Sequence, residues 1–134
     1  MPESFGLNPN HRVLRPWGGY WIVQTALSQE AHIAFDPPHS PHWKNEAYFP
    51  TKELTHGFVT CLAHGLEEEE KRDLYLVGKH QIYTRRPELK NIQRLMDSGY
   101  VDKPRGYNYR LVGYGPAIYE SLEYMVLTDQ WVEP

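Results

Sequence analysis

The sequence predicts an α+β fold in a single domain, with a β-hairpin near its N-terminus and a helical region that carries a second hairpin. Three observations carry this expectation. The run Tyr20-Trp-Ile-Val-Gln-Thr25 consists largely of strand formers, and Ala31 to Phe35 is a second short candidate beyond Ser28-Gln29-Glu30. Leu89, Ile92, Leu95 and Met96 recur at helical spacing between a capping residue, Thr84, and a terminating glycine, Gly99. Tyr100-Val101 and Tyr107 to Val112 are strand candidates around Lys103-Pro104-Arg105-Gly106, whose proline and glycine supply turn geometry.

Size and composition agree with one packed domain. A chain of 134 residues can bury on the order of two-thirds of its unfolded surface without a covalent staple. Its 40% hydrophobic and 13% aromatic content argues against disorder. Cys61 is the single cysteine, which excludes an intrachain disulfide and a multi-cysteine zinc site, and its apolar neighbours make it a packing residue. Met1 to Asn10 lacks the basic and apolar regions of a signal peptide, and no run approaches the ~18 apolar residues of a membrane span. A cytoplasmic protein is expected.

Taken in order, residues 1–50 divide into an arm, the hairpin and a connector. The first fifteen residues show no apolar period and read as irregular, and Gly19 to Leu27 pairs with 31–35 in the expected hairpin. Pro37, Pro38, Pro41 and Pro50 each remove a backbone donor, which makes 36–50 a connector. The helical region is placed at 51–128. Leu54, Phe58, Val59, Leu62 and Ala63 lie on one helical face ending at Gly65, although Phe58-Val59-Thr60 would also suit a buried strand. Glu67 to Glu70 puts negative charge at the start of a helix running through Leu74, Val77 and Gly78. The helix at 84–98 and the hairpin at 100–112 follow. Pro116 opens a last helix with Ile118, Leu122, Met125 and Val126 inward and Glu120 and Glu123 opposite.

Asn91-Ile-Gln-Arg-Leu-Met-Asp-Ser-Gly-Tyr-Val101 resembles the end of a recognition helix entering the wing in winged helix-turn-helix repressors of the MarR, ArsR and PadR kinds. Tyr107-Asn-Tyr-Arg-Leu-Val-Gly-Tyr-Gly-Pro-Ala-Ile-Tyr-Glu120 is similar to their second wing strand and the glycine before the next helix. The resemblance covers roughly Lys52 to Leu127 and departs from the family at Gln81, Ile82 and Leu89. It implies a winged helix-turn-helix with an additional N-terminal β-hairpin, a DNA-binding transcription regulator, a homodimer on double-stranded DNA, and room for a small-molecule effector. No cofactor is implied.

The net charge of −3 opposes a general polyanion binder, yet from Thr84 to Val112 seven basic residues face three acidic ones. On that stretch Arg85, Arg86, Glu88 and Asn91 occupy the part of a helix that reads base edges in a major groove. Lys90, Arg94, Lys103 and Arg105 suit phosphate positioning, with the wing on the backbone or minor groove. A winged helix acting as a protein-interaction module is the alternative. A metal-dependent enzyme is the third reading: His39, His42 and Glu46 lie within eight positions and are weak candidate ligands, while the proline between the histidines keeps them off a regular helix. No serine-triad, phosphate-loop or dinucleotide motif is present.

Overall fold

A computed structural model describes residues 10–27, 41–80, 90–103 and 109–134. Within them the fold is α+β. Strands β1 (His11–Trp17), β2 (Tyr20–Ala26) and β3 (Trp43–Phe49) form an antiparallel sheet in that order. Helices α1 (Lys52–Ala63), α2 (Glu68–His80) and α3 (Ile92–Asp97) follow, then the short strands β4 (Val101–Asp102) and β5 (Arg110–Leu111), and α4 (Gly115–Leu127).

The N-terminal sheet corrects two expectations. The supposed irregular arm contains β1, and β2 pairs back onto it through Gly18-Gly19, at φ 59° and 86°, with Trp17 opposite Tyr20. Two left-handed residues suit a two-residue hairpin because their twist matches the strands. Pro16 is tolerated because β1 is an edge strand and its register shifts between Leu14 and Trp17. The supposed connector contains β3, whose prolines, Pro41 and Pro50, flank the strand. Trp43, Ala47 and Phe49 are buried along it. Residues 31–35, the expected partner of β2, lie outside the described residues.

The helices follow the sequence more closely. Thr51 caps α1, its side chain accepting from the Leu54 N–H at 3.2 Å. Gly65, at φ 69°, closes it: the Gly65 N–H donates to Leu62 O and the Leu66 N–H to Cys61 O. The strand alternative for 58–60 is thereby excluded. α4 lies along α1, with Ile118, Leu122 and Met125 buried against Phe58 and Val59. Gly57 permits this approach, since a Cβ there would run into Ala117 O and Ser121 Oγ of α4. Val13, Val23, Ala47 and Phe49 cover the other side of the same core.

The expectation of a helix at 84–98 is partly overturned. Leu95 is fully buried and Ile92 and Met96 pack against the core, as their spacing required. However, the helix spans only Ile92–Asp97, not 84–98 as one element, and Lys90 and Asn91 form a turn before it. Asn91 has φ −101° and ψ 9°, and its N–H is taken by Asp73 Oδ2 at 2.9 Å, so a side chain of α2 satisfies a donor at the start of α3. Gly99, at φ 84°, ends α3, and the chain passes directly into β4.

Candidate nucleic-acid interface

The surface built from α3 and the β4–β5 hairpin is anchored at three places. The first is the Asp73–Asn91 contact between α2 and the turn before α3. Asp73 is largely buried, and burial pushes its carboxyl up, while hydrogen bonds from Asn91 pull the other way. The second is Glu70 on α2, whose carboxylate stands 3.8 Å from the guanidinium of Arg94. Glu70 also accepts from the Glu67 N–H at 3.2 Å, which fixes it at the start of its helix.

The third anchor joins the root of the hairpin to the end of α1. Tyr100 is buried, and its hydroxyl hydrogen-bonds His64 Nδ1. Burial pushes the Tyr100 phenol up, with Cys61 and Glu70 adding to it. The His64 ring also meets Tyr114 edge-on, with centroids 5.5 Å apart. The Val112 N–H donates to Tyr100 O at 2.9 Å, and Gly115 passes so close to that carbonyl that a side chain would collide with it. The hairpin therefore leaves from a rigid base.

The expected site residues fall into three groups. Lys90, Arg94 and Lys103 are exposed, and Arg110, a residue whose role was not expected, is exposed as well. Arg110 is held at 3.2 Å by Asp102 across the strands, and Asp102 also accepts from the Lys103 N–H. Asn91 is committed to Asp73 and stands ahead of the helix, which corrects its expected place on a helical reading face. Arg85, Arg86, Glu88 and Arg105 lie outside the described residues.

For the metal alternative, His39 lies outside the described residues, His42 precedes β3 and Glu46 lies within it. Among the described residues no three histidine, cysteine or acidic side chains come together to hold an ion. Cys61 is buried and its thiol is pushed up to about 12, chiefly by desolvation, so it stays protonated and unreactive at neutral pH. No helix among the described residues is long and apolar enough to cross a membrane.

Sequence reasoning left open how the tryptophans are used. Trp43 is buried beneath the Arg12 guanidinium, 4.2 Å from its ring centre. Trp131 meets Tyr75 edge-on and donates its Nε1–H to Glu68 at 2.6 Å. Comparison of the chain with protein-family models, curated proteins and solved structures gives no match.

Proposed function

We propose that this chain binds double-stranded DNA as a winged-helix transcription regulator, with α3 and its preceding segment at the major groove and the β4–β5 hairpin at the phosphates. The observation that carries the reading is the passage from α3 through Gly99 into an antiparallel hairpin, backed by α1 and α2 and followed by α4. That order is compatible with a winged helix. Exposed Lys90, Arg94, Lys103 and Arg110 support it. Arg110 and Asp102 form an exposed pair, a kind of contact that contributes only about 0–1 kcal/mol and can be exchanged for phosphate. A homodimer is part of the proposal. The C-terminal end supplies apolar surface for it, with Leu127 and Val132 76% and 87% exposed.

The test is selection from random duplexes, followed by affinity measurement over a salt series. Lys103→Ala should weaken binding to every duplex and reduce the salt slope by ~1, whereas Arg86→Ala should cost roughly 1–3 kcal/mol on the selected site alone. Absence of salt-dependent affinity for any duplex would remove the DNA reading and leave the protein-interaction module. A stoichiometric metal that is lost on His39→Ala or His42→Ala would favour the enzyme instead.

A further inference from the structure

The face of the N-terminal sheet opposite α1 carries a pocket with a directed hydrogen-bond donor. Alternation along β2 sends Trp21 and Val23 toward the core and leaves Tyr20, Ile22 and Gln24 on the other face. Register places Tyr48 opposite Ile22 and Asn45 opposite Gln24, so these residues share that face. Tyr20, Ile22, Asn45 and Tyr48 line a pocket of about 400 Å³. The two tyrosine rings stand nearly perpendicular, at 82° and 5.4 Å between centroids, and both are about two-fifths exposed, while Ile22 is buried beneath.

A chain of hydrogen bonds across the three strands decides which way the pocket's amide points. Arginine can only donate, and Arg12 Nε donates to Gln24 Oε1 at 2.7 Å. Gln24, fully buried, must then present its NH₂ to β3, where it donates to Asn45 Oδ1 at 2.7 Å. Arg12 is itself held over Trp43, which fixes the first member of the chain. With Oδ1 engaged, Asn45 has only its Nδ2–H₂ left to offer, and that group has no acceptor among the described residues. The described lining carries no charged side chain.

We propose that this pocket binds a small, uncharged, planar molecule bearing a hydrogen-bond acceptor, of the aromatic amide or ketone class. Its ring lies against Tyr20 and Tyr48 over Ile22, and its carbonyl accepts from Asn45 Nδ2. Two aromatic walls, an aliphatic floor and one oriented polar group are what a small-ligand site requires. The site stands independently of DNA binding.

Benzamide tests the proposal, titrated into the 134-residue chain by NMR, with toluene as the ring without an acceptor and benzoate as the charged counterpart. Benzamide should bind with a dissociation constant on the order of millimolar, as expected of so small a ligand, and should shift the Asn45 side-chain amide. Toluene and benzoate should each bind at least about fivefold more weakly. Asn45→Asp keeps the acceptor for Gln24 and loses the donor, so it should weaken benzamide about tenfold and leave toluene unchanged. Tyr20→Leu, at the exposed end of β2, should weaken all three. The proposal is overturned if benzamide gives no saturable shift by about 20 mM, if toluene matches it, or if Asn45→Asp binds it as the parent does.

Discussion

The two β units of this chain are stabilised on different terms. The N-terminal sheet has three seven-residue strands, and a polar chain, Arg12–Gln24–Asn45, centred on buried Gln24, ties them on the face opposite the core. Its edge at β3 is closed by Gln130, whose side-chain amide accepts from the Tyr48 N–H at 2.8 Å and donates to Tyr48 O at 3.0 Å, taking the place of another strand's peptide. Among the described residues the β4–β5 hairpin pairs two residues on each strand, too few to be stable alone. It depends on docking, through buried Val101, Tyr100 and Tyr109 and through the Tyr100–His64 bond. A sheet that carries its own connectivity and a hairpin that borrows it should therefore respond to different perturbations.

The largest effect should come from the element that both units lean on. Gly57→Leu places side-chain atoms where α4 already stands, so it should destabilise the whole domain by about 3 kcal/mol and lower amide protection in both β units together. Chemical denaturation with hydrogen exchange checks it, and loss confined to one unit would show that the α1–α4 contact is not the common support.

Next is Gln24→Leu, which leaves Arg12 Nε and Asn45 Oδ1 without their shared partner and should cost about 2 kcal/mol. Exchange should quicken in β1–β3 and stay unchanged in β4–β5. Tyr100→Phe acts in the opposite sense. Removal of one hydroxyl from the His64 contact should cost about 1 kcal/mol, with faster exchange at Val112 and in the hairpin but not in the sheet. Equal loss in both regions would break the distinction.

The smallest effect is expected for Gln130→Ala. It should cost less than about 1 kcal/mol, because the contact is exposed, and exchange at the Tyr48 amide should rise more than elsewhere in β3. Increased self-association of this variant, seen by light scattering, would sharpen the view that Gln130 guards a sheet edge.

What could be read from the sequence sorts by the range of the interactions involved. The C-terminal ends of α1 and α3 were legible because Gly65 and Gly99 act on backbone groups within a few residues of themselves, and the inward faces of α1 and α4 were legible because period and burial coincide. The Gly18-Gly19 turn is equally local, but the first fifteen residues show no apolar period to mark the strand that it joins to β2. Of the expected interface, Lys90, Arg94 and Lys103 were found as exposed cations, while Arg110 was missed because its neighbours in sequence are strand residues.

By itself the sequence determined the α+β class, the glycines that end α1 and α3 and the hairpin that follows α3, each from chemistry acting over one or two turns of chain. Only the tertiary structure decided that β3 joins the sheet. A seven-residue strand between prolines gains its bonds from β2, about twenty positions earlier in the chain. Tertiary structure likewise supplied the partner at the start of α3, where Asp73, eighteen residues away, accepts from the Asn91 N–H. It also set the direction of the Asn45 amide, which depends on a guanidinium two strands distant. In each case the deciding partner lies beyond the reach of local pattern, and a buried donor or acceptor is satisfied by whichever group the fold brings to it.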